Sequence, residues 1–322
     1  MDSRWIALHA FYHGDMDTLV TESVRYVAEL QRRGVVREFF FVRYWNGGPH
    51  LRLRLSLGDA EGIGLAKAVR QDIEDLMRCQ PGGQMSAEAY NEHAGEMLSA
   101  GKRIVNNGQL PYEEAEPLQK GDSVQVRPYS FDSDRYGNTQ SITEGHFCRS
   151  SEMAAFIVAQ TMGQPKARLT LALHLAAAAV PAMGLNPNIT AALFERVRSL
   201  MIRMFDAKAE CDAKPISRFH FEHSFDRLDH DLLYQLQNPL PLPGQDSSVN
   251  KLLRFWEHEL RHRYVELQAL LQHGELRAPP EYIIMDYVHM LNNRLGIIVK
   301  DELTIWQVVA SALHYADDCK RC

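Results

Sequence analysis

The sequence contains few cysteines, and their positions define no disulfide framework. Its 322 residues include five cysteines, an odd number scattered along the chain. Cys319 and Cys322 lie two residues apart, but no second pair accompanies them, so this spacing does not predict a zinc site. Scattered cysteines are typical of reduced thiols, and we therefore expect a cytoplasmic protein.

The sequence also lacks an excess of positive charge. It has 35 lysines and arginines against 41 aspartates and glutamates, which gives a net charge of −6. Nucleic-acid-binding domains are usually basic, so we expect no direct contact with nucleic acid. Any cluster of arginines must then form a local site.

No stretch of the sequence predicts a transmembrane helix. The apolar run 169–185 is shorter than a full span and contains His174 and Pro181, so it predicts a buried core helix. The first residues show no charged segment followed by an apolar one, which predicts neither a signal peptide nor a membrane partner.

Common catalytic and cofactor motifs are missing as well. We find no glycine-rich dinucleotide fingerprint, no phosphate-binding loop motif, no H-E-x-x-H and no G-x-S-x-G. Residues 220–231 are rich in histidine and aspartate, but their spacing fits no tight ligand pair. The sequence therefore predicts no cofactor and no metal site.

The hydrophobic pattern, by contrast, is that of an α+β fold. Residues 5–12 predict a strand, 15–33 a helix that ends at Gly34, 38–57 a hairpin and 59–77 a second helix. This order resembles a split β-α-β arrangement, in which helices cover one face of a small antiparallel sheet.

The remainder of the chain is mostly helical in pattern. A short helix over 86–98 and a strand over 123–131 come first, and helices follow over 144–161, 167–182, 188–206, 250–272, 280–295 and 300–316. We predict a single unit over 1–322, with a sheet-rich part of about 1–140 and a helical part of about 141–322.

The predicted hairpin contains an alternating stretch, RYWNGGPHLRLRL, over residues 43–55. Side chains alternate between the faces of a strand, so His50, Arg52 and Arg54 share one face and the leucines share the other. Guanidinium groups stay charged and bind carboxylates through paired hydrogen bonds. The stretch therefore fits an anion site, and an ordinary solvated face is the alternative.

A second candidate lies on the predicted helix 280–295. His289 and Asn293 are four residues apart and share a helical face, and Asp286 lies three residues before His289. A carboxylate can fix the tautomer of a general acid–base histidine, so we expect Asp286 to do so. A structural histidine is the alternative, and Gly296 is expected to end the helix.

Two stretches between these candidates also carry polar residues. In YSFDSDRYGN (129–138), two aspartates and Arg135 precede Tyr136, and a turn stabilised by aspartate side chains would explain them equally well. In TEGHFCRSS (143–151), Glu144 and His146 could line a helix start, with Ser150 and Ser151 as caps.

Together these stretches resemble the elimination domain of lantibiotic dehydratases. The same fold occurs in free-standing thiopeptide-type bacteriocin biosynthesis proteins. The resemblance rests on FFFVRYWNGGPHLRLRL (39–55), on the two middle stretches and on HMLNNRLGI (289–297), in that order. The middle departs from the usual Y-x-P-E-x-x-R-Y-G-G, since Phe131, Asp132 and Asn138 replace proline, glutamate and the last glycine.

The resemblance implies a peptide-modifying reaction. In that family a separate domain or protein attaches glutamate from glutamyl-tRNA to serine or threonine of a precursor peptide. The elimination domain then removes glutamate and leaves dehydroalanine or dehydrobutyrine. The expected partners are thus the precursor peptide, with its leader and core, and a separate glutamylation protein.

The resemblance also implies roles for individual residues. Arg52, Arg54 and Arg135 would hold the glutamyl group and its developing charge, and His289 would move protons. We expect Arg52, Arg54 and His50 to open into the same cavity as His289. The predicted substrate contacts are His50, Tyr136, Glu144, Asn293 and Arg294.

Two other functions stay open at this point. Free-standing thiopeptide and pyritide enzymes of this fold join two dehydroalanines in a formal (4+2) cycloaddition, and then lose water and the leader peptide to form a pyridine. A non-catalytic partner could instead bind the leader peptide at a sheet edge. The presence of both arginines together with His289 favours elimination.

Overall fold

The computed structural model describes residues 5–57, 62–80, 82–92, 116–205, 232, 234–236, 247–276 and 278–321. The chain divides into two compact units. The first unit comprises residues 1–132, 147–162 and 293–296, and the second unit comprises residues 133–146, 163–292 and 297–322. The prediction that the sheet-rich and helical parts act as one unit stays a prediction.

Strands and helices confirm the predicted α+β class. The strands are β1 (Trp5–Phe11), β2 (Val36–Tyr44), β3 (His50–Leu57) and β4 (Ser123–Arg127). The helices are α1 (Met16–Arg32), α2 (Gly62–Cys79), α3 (Ser133–Tyr136), α4 (Gln140–Gln160), α5 (Pro165–Ala177), α6 (Ala179–Met183), α7 (Pro187–Phe205), α8 (Ser247–Gln272), α9 (Pro280–Leu295) and α10 (Val299–Arg321).

The four strands form one antiparallel sheet in the first unit. Their order is β2-β3-β1-β4, and every neighbouring pair is antiparallel. Strand β3 thus lies between β1 and β2, which α1 connects. This is the split β-α-β arrangement that the sequence predicted.

The core of the first unit lies on the leucine face of the sheet. Leu51, Leu53 and Leu55 of β3 are fully buried, and Leu8 of β1 pairs with Leu53 in the register. Helix α1 contacts β2 and β3, while α2 contacts β1 and β4. The helices therefore cover the apolar face, because the alternation of β3 turns every leucine to that side.

Side chains bond backbone groups at the outer edge of β2. The backbone N–H of Phe41 donates to Ser151 Oγ at 3.1 Å, and its carbonyl accepts from Arg294 Nε at 2.8 Å. Asn293 bonds both backbone groups of Arg43, each at 3.0 Å. Because an open edge can pair with another chain, these bonds protect it as well as stabilise it.

Gly296 is placed directly behind this edge, and the sequence predicted it to end the helix. It has a φ of +74°, and a Cβ atom there would lie 2.9 Å from Nη1 of Arg43. The positive φ favours glycine at this position, and any other side chain would also have to displace the Arg43 guanidinium.

The second unit is built from packed helices. Helix α10 packs against α5 and α7, and α8 packs against α5 and α6. Trp256 and Trp306 are fully buried, and the indole N–H of Trp256 donates to the carbonyl of Leu175 at 3.0 Å. Within the described residues, none of the helices is long and apolar enough to cross a bilayer.

Two sequence predictions of helix boundaries were wrong. The helix predicted over 167–182 is interrupted between α5 and α6. Pro181 has no backbone N–H to donate to the carbonyl of Ala177, and the proline ring would clash with that carbonyl in a continuous helix. Ser150 and Ser151 do not cap a helix start, because α4 begins at Gln140 and both serines are buried within it.

Two further predictions fall partly or wholly outside the described residues. Of the helix predicted over 86–98, residues 87–92 are helical and residues 93–98 are not described. The histidine-rich segment 220–231 lies outside the described residues altogether.

Candidate active site

One face of the sheet in the first unit carries a group of basic side chains. The register places Arg52 opposite His9, and it places both Arg54 and Arg127 opposite Ala7 of β1. Residues that are directly opposite point to the same side of a sheet. We call the face formed by His9, His50, Arg52, Arg54 and Arg127 the arginine face.

Arg52 is oriented by two neighbours on this face. Its guanidinium carbon lies 3.3 Å from the centre of the Tyr44 ring, which is a cation–π contact. Its Nε lies 3.2 Å from Nε2 of His50. Because His50 Nδ1 is 2.9 Å from the carbonyl of Gly48, Nδ1 carries the proton and Nε2 accepts from Arg52.

Both histidines of the arginine face are held neutral. Burial lowers the pKa of His50 to about 4, despite the bond to Gly48, and the charge of Arg52 adds to this effect. Burial, followed by Arg52 and Arg54, lowers the pKa of His9 to about 2. The two rings stack with centroids 5.1 Å apart. A solvated face therefore does not describe His50, which is fully buried.

The charge of Arg54 is not balanced by any carboxylate in the part of the chain that the structure describes. The side chain is half-buried, its Nη1 is buried without a hydrogen-bond partner, and no carboxylate among the described residues pairs with it. Burial and the neighbouring charge of Arg52 lower its pKa to about 10, so it stays protonated at neutral pH. A guanidinium in this setting can bind an anion.

Arg127 on the same face has its charge balanced. Its Nη1 and Nη2 each lie 2.6 Å from an oxygen of Glu116, which forms a bidentate ion pair. The hydrogen bond from Arg127 lowers the pKa of Glu116 below its usual range. Arg127 therefore helps to hold the loop before β4 rather than leaving an open anion site.

Aromatic rings lie beside Arg54 in the first unit. Trp5 and Tyr129 have ring centres 5.8 Å apart, and Phe40 lies 5.1 Å from Trp5 and 5.6 Å from Phe147. Phe40 is directly opposite Arg54 in the sheet. The arrangement provides an apolar wall next to a fixed positive charge.

The second unit holds His289 in a buried hydrogen-bonded group. His289 Nδ1 lies 2.9 Å from Oε2 of Glu302, and Asn292 Nδ2 donates to Oε1 of the same carboxylate at 3.0 Å. Burial alone would lower the pKa of His289, but the charge and hydrogen bond of Glu302 outweigh it and raise the pKa. The carboxylate partner of His289 is thus Glu302.

The expectation that Asp286 fixes the tautomer of His289 was wrong. Asp286 instead accepts hydrogen bonds from the Arg135 guanidinium and the Tyr136 hydroxyl. These partners come from α3 and occupy one oxygen each, so the carboxylate is committed to them. The predicted contacts of Arg135 and Tyr136 with substrate stay predictions.

A second buried network in this unit surrounds His146. Its ring stacks on Tyr287 with centroids 4.1 Å apart, and its Nδ1 lies 3.3 Å from Glu259. Burial would raise the pKa of Glu259, but hydrogen bonds from His146 and Arg263 outweigh it and lower the pKa to about 2. Tyr287 also hydrogen-bonds Thr143 at 2.8 Å. These contacts hold His146 and Glu259 in the interior of the second unit.

The other predicted contact residues occupy different places. Asn293 and Arg294 bond the edge of β2, as described above, and Glu144 accepts from Gln140 at 2.9 Å on α4. Their substrate contacts stay predictions. The same is true of the cavity that Arg52 and His289 were expected to share.

His9, Arg127, Glu302 and Asn292 belong to these groups but were missed in the sequence. His9 follows the same two-residue alternation as its neighbours in β1, so the pattern could have placed it on the polar face. Asn292 lies three residues after His289 on the same helix, but nothing in the sequence points to its bond with Glu302. The bonds of Glu302 to His289 and to Asn292 depend on the packing of α10 beside α9, which periodicity does not encode.

The fold is similar to that of several solved structures. The pyridine synthase TbtD from thiomuracin biosynthesis is 18% identical with a TM-score of 0.72, over 96% of this chain and 97% of that one. TsrL is 16% identical with a TM-score of 0.61, and the match covers 98% of this chain and 95% of TsrL. The tRNA-dependent lantibiotic dehydratase MibB from Microbispora sp. 107891 is 15% identical with a TM-score of 0.56, over 99% of this chain and 29% of that one.

Sequence comparison places the chain in a family. No curated protein is significantly similar to it in sequence. A model of the lantibiotic biosynthesis dehydratase C-terminal family, however, matches residues 5–313, which is nearly the whole chain. The chain therefore belongs to the lantibiotic dehydratase C-terminal family, whose members serve the biosynthesis of ribosomally made, modified peptides, as the sequence resemblance predicted.

Proposed function

We propose that this protein eliminates glutamate from glutamylated serine or threonine of a precursor peptide. The observation that carries the proposal is Arg54, whose half-buried guanidinium has no carboxylate partner among the described residues. A fixed positive charge in such surroundings is suited to a substrate carboxylate, because the surrounding apolar groups strengthen the attraction. Arg52, oriented by Tyr44 and His50, lies two residues away on the same face.

The chemistry of elimination fits fixed positive charge. A base removes the Cα proton, and its electron pair forms the Cα–Cβ double bond while the Cβ–O bond breaks. Glutamate leaves with the bonding pair as a carboxylate, and negative charge builds on the peptide carbonyl oxygen in the transition state. Preorganised arginines stabilise both negative centres without reorganisation, and one such donor is worth roughly a hundredfold to a thousandfold in rate.

Proton transfer is assigned to His289 in this proposal. The bond from Nδ1 to Glu302 leaves Nε2 as the nitrogen that exchanges a proton with the substrate. The precursor peptide is the proposed partner, and a separate glutamyl-tRNA-dependent protein would supply the glutamylated residue.

A second candidate is pyridine formation from two dehydroalanines. Its support is the fold likeness to the pyridine synthase TbtD, which covers 96% of this chain at a TM-score of 0.72. The departures at Phe131, Asp132 and Asn138 from the usual middle motif also favour it. Binding of neutral alkenes would depend on apolar surfaces more than on Arg54.

The two candidates differ in the peptide that they consume. We would incubate the protein with a glutamyl-serine peptide and, separately, with a bis-dehydroalanine peptide, and follow both by mass spectrometry. Loss of glutamate from the first supports elimination, whereas ring formation with release of the leader from the second supports the pyridine synthase. Binding of either peptide without conversion would contradict both and indicate a non-catalytic partner.

A further inference from the structure

Glu302 is a buried carboxylate with a single ionisable partner among the described residues. Its side chain is 2% exposed, and its ion pair is the contact of Oε2 with His289 Nδ1. Its other oxygen accepts from Asn292, which is neutral and itself 1% exposed. Because an isolated buried carboxylate is costly, its charge must be balanced by the imidazole.

The other charged groups that face His289 do not replace Glu302. They are Asp286, one turn earlier on α9, and Arg135 of α3, and these two pair with each other. Arg135 disfavours the imidazolium while Asp286 favours it, so their effects on His289 oppose one another. Only Glu302, of the three, hydrogen-bonds the ring.

The orientation of the ring follows from these contacts. Two hydrogen bonds, one from His289 and one from Asn292, fix the plane of the Glu302 carboxylate. The carboxylate in turn holds the proton of a neutral imidazole on Nδ1. The His289 side chain is 24% exposed, whereas its partner is buried, so the ring is anchored on the Nδ1 side.

We propose that Glu302, itself held by Asn292, is a positioning residue that fixes the tautomer and orientation of His289 and leaves Nε2 for proton transfer. The catalytic importance of His289 rests on the proposed function, but its pairing with Glu302 does not. The arrangement acts through His289, since Glu302 is too deeply buried to reach a peptide substrate.

The chain offers a matched control on the same helix. His314 of α10 contacts Glu195 of α7 at 3.1 Å, but both side chains are about half exposed, at 47% and 57%. Glu195→Gln therefore removes the charge from a histidine–glutamate pair that solvent reaches. Glu302→Gln removes it from the buried pair and keeps the shape of the side chain and an amide oxygen for Asn292.

The first measurement does not depend on activity. Nitrogen-15 NMR of the labelled protein, with His289→Gln to assign the signal, would report the tautomer and titration of His289. We expect a proton on Nδ1 in the neutral form, and a pKa that falls by at least about one unit in Glu302→Gln, as for loss of an adjacent opposite charge. A proton on Nε2 in the unaltered protein, or an unchanged titration in the variant, would overturn the proposal.

The second measurement uses whichever peptide the protein converts. Glu302→Gln should lower kcat by about 100-fold, with KM within about twofold, and move the acid limb of the pH–rate profile to lower pH. Glu195→Gln should leave the profile in place. An unshifted profile in Glu302→Gln would contradict the positioning role, and if neither peptide is converted, the NMR titration still decides the pairing while the proposed function fails.

Discussion

Arg263 of the second unit lies between two carboxylates, whereas Arg54 of the first unit has none among the residues that the structure describes. Arg263 Nε is 2.8 Å from Glu259, and its Nη1 is 2.6 Å from Glu266. Burial would lower the pKa of Arg263, but these carboxylates outweigh it and raise the pKa. The pKa of Arg54, by contrast, is lowered both by burial and by the nearby charge of Arg52.

The histidines of the two units differ in the same way. His9 and His50 in the first unit are neutral, because burial and the neighbouring arginines disfavour a further positive charge. His289 in the second unit is paired with Glu302, which favours the charged form. On the arginine face, Arg54 thus has no described carboxylate to balance its charge, whereas Arg263 and His289 of the second unit each pair with a carboxylate.

We infer from this difference that the charge of Arg54 serves binding, whereas the charge of Arg263 serves the stability of the fold. A protein gains nothing in stability from a cation that is partly removed from water and left without a partner, so we propose that a ligand supplies the negative charge at Arg54. The pair at Arg263 needs no ligand, because its own carboxylates already satisfy it. Four predictions test this comparison.

The largest expected effect is on the stability of the second unit. Arg263→Leu leaves Glu259 buried beside His146 and should lower the free energy of unfolding by about 3–5 kcal/mol, as when one partner of a buried ion pair is removed. The double variant Glu259→Leu with Arg263→Leu should lower the free energy of unfolding much less, because neither charge is left without its partner. Urea unfolding measures both, and a loss below about 1 kcal/mol in the single variant would contradict the structural role.

Arg54→Leu should show the opposite behaviour. Removing this guanidinium should change the free energy of unfolding by less than about 1 kcal/mol, since no described carboxylate is left without its partner. Turnover of a glutamyl-serine peptide should fall by about 100-fold or more, as on loss of a donor to developing charge. Arg25→Leu, an exposed position on α1, is the control. Full activity of Arg54→Leu would refute the proposed anion site.

The lowered pKa values of His9 and His50 predict that the folded protein loses stability in acid. Below a pH of about 6.5 the unfolded chain protonates His9, but the folded chain does not until about pH 2, so stability falls as the pH decreases. His9→Phe removes this group and should reduce the slope of unfolding free energy between pH 6 and 4 by up to about 1.4 kcal/mol per pH unit. Urea unfolding at several pH values measures the slope.

The contribution of His289 to stability depends on pH in the opposite direction. Its pKa is raised in the folded state, so its contribution is complete below about pH 6.5 and is lost as the pH rises through the folded value. His289→Phe should therefore reduce stability most at low pH. Equal slopes for His9→Phe and the unaltered protein would show that the histidines of the arginine face are not held neutral.

The sequence predicted those features that depend on local periodicity. The alternation of β3 placed Arg52 and Arg54 together, and the bounds of α9 and the glycine after it followed from the helical pattern. The partners of the ionisable groups were harder to predict. Asp286 is three residues from His289, but Arg135 and Tyr136 compete for it from about 150 positions away. Local spacing identifies possible neighbours, and tertiary packing selects among them.

The smallest expected effect concerns His50, which the sequence predicted to bind substrate. In the structure it is fully buried and holds Arg52 through Nε2 while donating to Gly48. His50→Gln keeps an acceptor and should lower turnover by only a few-fold. His50→Phe loses the hydrogen bond, worth about 1 kcal/mol, and should lower turnover by roughly fivefold to tenfold.

The reason for so small a change is that Arg52 retains its contact with Tyr44 when the histidine is replaced. Steady-state kinetics with the glutamyl-serine peptide would measure KM and kcat for both variants beside Arg54→Leu. A loss in His50→Phe as large as that in Arg54→Leu would mean that the imidazole itself contacts the peptide. Unchanged kinetics would mean that Tyr44 alone suffices to orient the guanidinium. A moderate loss, partly restored in His50→Gln, is expected if the neutral histidine serves the arginine beside it.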